Sequence, residues 1–153
     1  MNYQNQMELK FDSRSSNEGF ARVAVAAFMT QLNPTVEEVS DVKTAVSEAV
    51  TNAIIHAYEN EVHTIWISCF LEEKQMTVVV RDEGKGIENI EQAMEPLFTT
   101  KPELERSGMG FAFMEAFMDE LKVDSEPGKG TTVTMVKKIG YEQDLMEREP
   151  KEE

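Results

Sequence analysis

Apolar residues follow two different spacings along this chain, one typical of strands and one typical of helices. Alternating apolar and polar residues predict a first strand at Met7–Phe11. Apolar residues three and four positions apart then predict a helix that stops at Asn33-Pro34. The same spacing predicts a second, longer helix from Val36 to about Tyr58. Both helices would bury one apolar face.

Both predicted helices are preceded by a sequence typical of a capping box. Ser15 is followed three residues later by Glu18, and Thr35 is followed three residues later by Glu38. In a capping box the hydroxyl accepts from the backbone N–H at the third helical position, and the glutamate accepts from the backbone N–H of the hydroxyl residue. We therefore predict that a helix begins after each hydroxyl residue.

The second half of the chain alternates strands with shorter helices. The predicted elements are strands at Thr64–Leu71 and Met76–Arg81, a short helix at Asn89–Ala93, an irregular stretch at Pro96–Ser107, a helix at Gly110–Met118, and strands at Leu121–Ser125 and Thr131–Lys138. This order favours an α+β fold, a mixed and mostly antiparallel sheet with its helices on one face. We expect one domain over residues 1–139 and a frayed or disordered acidic tail over residues 140–153.

The charge of the chain excludes some classes of partner. Fifteen basic and 29 acidic residues give a formal net charge of −14, so direct binding of nucleic acid is not expected. The single cysteine, Cys69, lies in an apolar run and is expected to be buried in a strand. No signal peptide or membrane span is predicted, and the expected location is the cytoplasm. A small ligand with phosphates remains possible, because it needs only local N–H groups and one or two cations.

A carboxylate and an amide lie one turn apart on the long predicted helix. Glu48 and Asn52 are four residues apart, so they project from the same side at the edge of the apolar stripe. A carboxylate can accept a proton, and both side chains offer the oxygen ligands that Mg²⁺ prefers. Taken alone, the pair is more typical of a solvated helix face.

Two glycine-rich segments follow the helix pair. Asp82-x-Gly84-x-Gly86 ends a strand, where a carboxylate can accept from a ligand amine and glycines let the backbone approach the ligand. Gly108-x-Gly110 opens a helix, where free N–H groups attract phosphate. Each segment alone is also typical of an ordinary turn, and neither is a Walker A loop or a dinucleotide fingerprint.

Taken together, the three segments are similar in order, spacing and placement to the GHKL family of ATPases and kinases. The Glu48 and Asn52 pair resembles the family's N box, and the two glycine segments resemble its first and second glycine boxes. The resemblance implies a two-layer α/β sandwich of the Bergerat type that binds ATP or ADP with Mg²⁺. It also implies that Asp82 holds the adenine amino group near Thr131, that Asn52 binds Mg²⁺ and that Glu48 is the general base.

The resemblance extends these roles to the stretch between the glycine boxes. Pro96–Ser107 would form a lid over ATP, with Arg106 as a second catalytic residue and Lys101 also reaching the terminal phosphates. The residues that the resemblance assigns to nucleotide binding are Asn52, Asp82, Gly84, Gly86, Thr99, Thr100, Lys101, Ser107, Gly108, Met109, Gly110 and Thr131.

Within the GHKL family, the chain resembles the small stand-alone anti-sigma serine kinases of endospore-forming bacteria. Too few residues precede Glu48 for the phosphoacceptor helix and dimerisation hairpin of a sensor histidine kinase, and no transducer domain of the gyrase, Hsp90 or MutL kind is expected. The segments Phe20–Phe28, Val46–His56 and Pro96–Phe111 carry the resemblance. One departure is Ala57, where a glycine is expected.

This closer resemblance implies a switch between two protein partners. A homodimer with ATP would hold a sporulation sigma factor, and the same protein would phosphorylate a serine of a small STAS-type anti-anti-sigma protein. Arg22 matches the family's shared contact for both partners, although alone it would be interpreted as a surface arginine. Two alternatives remain at this point, a GHKL protein that binds ATP and partners without phosphotransfer, and a non-enzymatic acidic interaction domain.

Overall fold

The computed structural model describes residues 4–95 and 110–140, which form one sheet with helices packed on one face. The strands are β1 (Asn5–Asp12), β2 (Thr64–Glu72), β3 (Gln75–Asp82), β4 (Glu120–Glu126) and β5 (Gly130–Lys138). The α-helices are α1 (Ser16–Met29), α2 (Val36–Asn52), α3 (Ile90–Ala93) and α4 (Gly110–Phe117). A short 3₁₀ turn, Thr30–Leu32, follows α1, and one π-helical turn, Ala53–Ala57, follows α2.

The sheet has the order β1-β2-β3-β5-β4, and each neighbouring pair is antiparallel. The prediction of an α+β fold with a mostly antiparallel sheet is confirmed, and no parallel pair occurs in the described part of the chain. In the sheet β5 lies between β3 and β4, although it follows β4 in the sequence. This arrangement sets the end of β3 beside the start of β5, with Asp82 opposite Thr131.

The core lies between the helices and one face of the sheet. Burial alternates along β2 and β3, so every second side chain is buried and the others face outward. The fully buried large side chains include Met29 of α1, Val46 of α2, Ile67 of β2 and Met114 of α4. Cys69 is buried here as expected, and desolvation raises the pKa of its thiol to about 12.

The two predicted capping boxes have different outcomes. Thr35 accepts from Glu38 N at 3.1 Å, and Glu38 Oε1 accepts from Thr35 N at 2.8 Å, which confirms the box at α2. At Ser15 the predicted helix start is confirmed, since α1 begins at Ser16, but the predicted capping box is wrong, because the Ser15 hydroxyl makes no capping bond and its backbone is already helical. The Glu18 side chain instead accepts from Ser47 Oγ of α2.

Gly140, the last described residue, is hydrogen-bonded to the start of α2. Gly140 N donates to Glu38 Oε2 at 2.8 Å, so Glu38 joins the start of α2 to the residues after β5. The remainder of the predicted tail, residues 141–153, lies outside the described residues. Among the helices that the structure describes, none combines the length and the apolar character that crossing a bilayer requires.

Candidate functional site

A cavity of about 440 Å³ lies where α2 and its π turn meet the ends of β3 and β5. This volume is in the range of sites for small molecules and cofactors. Five residues predicted from the sequence line it: Asn52, Asp82, Gly86, Gly110 and Thr131. They come from a helix end, a strand end, a turn, a helix start and a strand start, so only the tertiary fold brings them together.

Asp82 is the most perturbed carboxylate of the cavity. Asp82 is only 7% exposed, and its Oδ1 accepts from Gly84 N at 2.9 Å and from Thr131 N at 3.3 Å. Desolvation raises the pKa of Asp82, although these two hydrogen bonds and the charge of Arg81 act in the opposite direction. Because both bonds go to Oδ1, Oδ2 can accept a hydrogen bond from a ligand in the cavity.

Thr131 is held beside Asp82 by a residue that the sequence did not single out. Ser125 Oγ accepts from Ile87 N at 2.7 Å and lies 2.9 Å from Thr131 Oγ1. The Ser125 hydroxyl donates to Gly130 O at 3.1 Å, so the Thr131 hydroxyl is the one that donates to Ser125 Oγ. A signal was available, because Ser125 and Thr131 flank the predicted turn between β4 and β5 and therefore face each other across the hairpin.

Tyr58 is a second supporting residue that the sequence analysis missed. It follows the π turn, and its hydroxyl donates to Thr64 O at 2.5 Å while accepting from Glu83 N at 2.7 Å. Burial raises the pKa of the Tyr58 phenol above its ordinary value. The end of the helix that carries Asn52 is thereby tied to the residue that follows Asp82. Apolar spacing predicted one continuous helix here, because it does not distinguish a single wider turn.

The glycines after Asp82 allow protein segments to approach one another closely. A Cβ at Gly84 would lie 2.4 Å from Ala57 O, and a Cβ at Gly86 would lie 2.3 Å from Glu126 O. Gly86 also has a φ of +77°, which strongly favours glycine. The sequence alone predicts close approach to a ligand at both glycines. For Gly84, which is not among the residues that line the cavity, the close neighbour is instead the π turn at Ala57.

Replacing Gly84 with alanine should destabilise the fold, because the added methyl group meets backbone atoms that cannot move independently. Forced overpacking of this kind costs about 1–3 kcal/mol. Urea unfolding followed by circular dichroism measures the free energy of unfolding. Gly19→Ala is the matched control, since its Cβ would meet nothing closer than 3.8 Å and alanine favours the α1 helix. Equal stability of Gly84→Ala and the wild type would contradict the packing explanation.

Glu48 lies one turn before Asn52, but it lines a different depression. A groove of about 670 Å³ between α1 and α2, here called the Arg22 groove, is lined by Arg22, Lys43, Ser47 and Glu48 among others. Arg22 Nε lies 3.7 Å from Glu18 Oε1 and is buried without a hydrogen bond from the described residues. The candidate base and the candidate partner contact therefore line one groove. Glu48 lies one helical turn from Asn52, which lines the cavity.

Several predicted site residues lie outside the described residues. They are Thr99, Thr100, Lys101, Arg106, Ser107, Gly108 and Met109, together with the predicted lid at Pro96–Ser107. Their roles stay predictions, as do the binding roles of the residues around the cavity. Ala57, the departure noted in the sequence, is described and lines the cavity wall against Gly84.

Comparison with known proteins agrees with this architecture. A family model described as a histidine kinase-like ATPase domain matches residues 12–137. Among solved structures, the RsbU and RsbW domains of a Mycobacterium tuberculosis protein match with a TM-score of 0.62 and 16% identity, over 89% of this chain and 32% of that chain. The histidine kinase domain of a blue-light activated kinase from Erythrobacter litoralis matches with a TM-score of 0.54 and 18% identity, over 87% of this chain and 66% of that one. These two likenesses support the fold.

Relatives with much higher sequence identity show which family of these ATPase domains the chain belongs to. The anti-sigma F factor of Caldanaerobacter subterraneus subsp. tengcongensis is 63% identical over 140 residues, which cover 92% of this chain and 98% of the relative. That of Clostridium acetobutylicum is 60% identical over 141 residues, covering 92% and 99%. This chain therefore belongs to the anti-sigma F factor family, within the histidine kinase-like ATPase domains.

Proposed function

We propose that this chain is an ATP-dependent anti-sigma factor, which holds a sporulation sigma factor and phosphorylates a serine of its anti-anti-sigma partner. The observation that carries the proposal is the arrangement around α2. One part of this helix presents Asn52 to the cavity that contains buried Asp82, and the turn before it presents Glu48 to the groove that contains Arg22. A nucleotide bound near Asn52 and a protein partner bound near Glu48 would therefore meet on one side of α2, about one turn apart.

The chemistry of the cavity fits ATP or ADP. Asp82 offers an acceptor oxygen for the adenine amino group, and the Thr131 hydroxyl lies on the same side of the cavity. Gly110 also lines the cavity and is the first described residue of α4. The N–H groups and the positive dipole end at a helix N-terminus attract phosphates. The cavity therefore offers an acceptor for a purine and a helix start for phosphates.

Asn52 is the candidate magnesium ligand among the described residues of the cavity. No group of three or more His, Cys, Asp or Glu side chains that could hold a metal occurs in the described chain. Mg²⁺ usually takes few protein ligands and completes its shell with water and substrate phosphates, so one amide oxygen is a sufficient anchor. When bound, the ion would neutralise charge on the phosphates.

Glu48 and the Arg22 groove would supply the transfer chemistry. Glu48 would accept the proton of the partner's serine hydroxyl while the serine oxygen forms a bond to the γ-phosphorus. The bond from that phosphorus to the β–γ bridging oxygen would break, and ADP would leave. Arg106 is proposed to stabilise the charge of the transferred group, with Lys101 close to the terminal phosphates. Positioning and electrostatics account for most of the acceleration in such reactions.

We infer that partners bind over α1 and the Arg22 groove. Phe20 and Val23 of α1 are 57% and 55% exposed, and Val36 at the edge of the groove is 88% exposed. Exposed apolar side chains next to an arginine are typical of protein interfaces, whose strongest contacts are often aromatic residues and arginine. The net charge of −14 favours partners with basic surfaces. We further propose a homodimer that acts in the cytoplasm, where sigma factors meet RNA polymerase.

Replacing Arg22 with alanine should weaken binding of both the sigma factor and the anti-anti-sigma protein. Loss of an interface arginine of this kind costs about 2 kcal/mol or more, which corresponds to at least about 30-fold in Kd. Calorimetric titration with ATP and Mg²⁺ present measures both affinities. Arg14→Ala is the matched control, because Arg14 is an exposed arginine that pairs with Asp12 at 3.7 Å. If Arg22→Ala and Arg14→Ala bind both partners equally well, the Arg22 groove is not the partner site.

The whole proposal is tested by incubating the protein with γ-labelled ATP, Mg²⁺ and an anti-anti-sigma protein. We expect label on a serine of the partner, and sigma-factor binding that is stronger with ATP than with ADP. Partner binding without serine label would favour the alternative of a nucleotide-dependent binding protein that transfers no phosphate. An absence of any nucleotide binding by calorimetry would instead favour a non-enzymatic acidic interaction domain.

A further inference from the structure

A lysine occupies a position of β5 that the strand's pattern assigns to the core. Residues 133 and 135 of β5 are buried valine and methionine, and the next residue on the same face is Lys137. Its side chain is only 12% exposed. A charge this poorly hydrated is retained only when partners compensate for the lost water.

The partners of Lys137 come from two helices. Its Nζ donates to Asp41 Oδ2 of α2 at 3.2 Å and to Phe117 O at 2.8 Å. Phe117 is the last residue of α4, so the ammonium group satisfies a carbonyl at the negative end of that helix. Lys137 therefore joins α4 to α2 and to the sheet at a single point.

Further hydrogen bonds fix the same end of α4. Asp119 N donates to Val136 O at 2.8 Å, and Lys138 N donates to Asp119 Oδ2 at 2.6 Å. The turn after α4 is thus fastened to β5 on both sides of Lys137. The other end of α4 is Gly110, which lines the cavity. The helix has eight residues, so its two ends are about 12 Å apart.

We propose that Asp41 and Lys137 are a positioning pair that aims the N-terminus of α4 at the nucleotide phosphates. The inference rests on the proposed function, because it presumes that the cavity binds ATP and ADP. Asp41 lies on the same helix as Asn52, so the pair also sets the distance between the phosphate end of α4 and the proposed magnesium ligand. Neither residue touches the cavity, and both act through the helices that they join.

Stability alone is a weak reason for this largely buried ion pair, whose side chains are 12% and 23% exposed. Replacing such a pair with apolar side chains of similar volume is often neutral or stabilising, because apolar contacts need no desolvation of charge. Apolar contacts are also non-directional, whereas an ammonium group on a terminal carbonyl and a carboxylate specifies where a helix ends. Positioning of α4 is a role that a methionine at residue 137 would not fulfil.

The test compares the affinities for ADP and adenosine, which differ only in the phosphates. The variants are Lys137→Met, the uncharged double variant Asp41→Asn with Lys137→Met, and the conservative Lys137→Arg. Lys138→Met is the matched control, since the Lys138 side chain is exposed on the same strand. Competition against a fluorescent ADP analogue gives both dissociation constants, and circular dichroism gives the folded fraction of each variant.

We expect both methionine variants to bind ADP about fivefold more weakly. A loss of this size corresponds to weakening the interaction between an anion and a helix N-terminus. Their affinity for adenosine should stay within about twofold of the wild type, and Lys137→Arg should recover most of the ADP affinity. An unchanged ADP affinity in the double variant would overturn the positioning role. A parallel loss for ADP and adenosine would also overturn it, because it would indicate general loosening of the fold. Wild-type protein that binds no ADP would overturn the proposed function itself.

Discussion

Replacing Asp82 with asparagine should remove tight binding of ATP and ADP while leaving the protein folded. The asparagine Oδ1 can still accept from Gly84 N and Thr131 N, so the end of β3 keeps its geometry. The second position changes from an acceptor oxygen to an NH₂ donor, which would face the donor NH₂ of adenine. A hydrogen bond to a charged group is worth about 1.5–3 kcal/mol, so we expect affinity to fall by about 10- to 150-fold.

The pH dependence of stability should distinguish Asp82 from an ordinary surface carboxylate. Its pKa is raised in the folded protein by desolvation, so the ionised form is less favourable there than in the unfolded chain. The charge therefore costs stability at neutral pH, and this cost is relieved as the pH falls through the raised folded pKa. The ligand-free Asp82→Asn variant should be at least as stable as the wild type at neutral pH, and its advantage should shrink towards acid pH.

Calorimetry with ADP and urea unfolding at neutral and acid pH measure the two effects. Asp124→Asn is the matched control, because Asp124 is exposed on β4 and lies 3.6 Å from Lys122. It should bind ADP like the wild type and lack the acid-dependent change. If Asp82→Asn kept its ADP affinity, Asp82 would not be the adenine acceptor. If it unfolded at neutral pH, the carboxylate would have a structural role that its hydrogen bonds do not indicate.

The parts of the fold that depend on local pattern could be predicted from the sequence. Alternation along β2 and β3 gave their extent to within one residue, and the capping box at Thr35 located the start of α2. The equivalent sequence at Ser15 also located a helix start, but its capping box does not form, and Glu18 instead accepts from Ser47 on another helix, 29 residues away. A local motif cannot show which of two possible hydrogen bonds the tertiary fold will favour.

The residues of the candidate site also fall into those that the sequence could predict and those that it could not. Asp82 and Thr131 could be predicted because their segments resemble known motifs, and the antiparallel register places them opposite each other. Ser125 and Tyr58 act on neighbouring segments through single hydroxyl groups, so their importance depends on register and on a π turn that apolar spacing does not show. Lys137 was visible as a break in an apolar face, but its partners are 20 and 96 residues away in sequence.

The structure also changes how the N box is understood. On a helical wheel Glu48 and Asn52 share one side, and the sequence analysis treated them as members of a single site. In the fold, Asn52 lines the cavity and Glu48 lines the Arg22 groove. Because the two residues are one turn apart on the same side of α2, a base at Glu48 would lie between the proposed nucleotide site and the groove proposed for the partner.

Replacing Glu48 with glutamine should abolish serine phosphorylation and leave ATP binding intact. Glutamine has nearly the same shape but cannot accept the proton of the attacking hydroxyl, and loss of a general base costs about 100- to 10,000-fold in rate. Because Glu48 is not among the residues that line the cavity, ATP and ADP affinities should stay within about twofold of the wild type. Single-turnover transfer from labelled ATP to the anti-anti-sigma protein isolates the chemical step from partner release.

Glu37→Gln provides the matched control, because Glu37 is an exposed glutamate in the first turn of the same helix. It should transfer phosphate at the wild-type rate. A wild-type rate in Glu48→Gln would count against Glu48 as the base and would leave positioning of the serine and the phosphates as the source of catalysis. If Glu48→Gln lost both partner binding and phosphate transfer, Glu48 would instead be a partner contact within the Arg22 groove. Measuring the affinity of the anti-anti-sigma protein alongside the rate separates these outcomes, since only the loss of a base slows transfer in a complex that still forms.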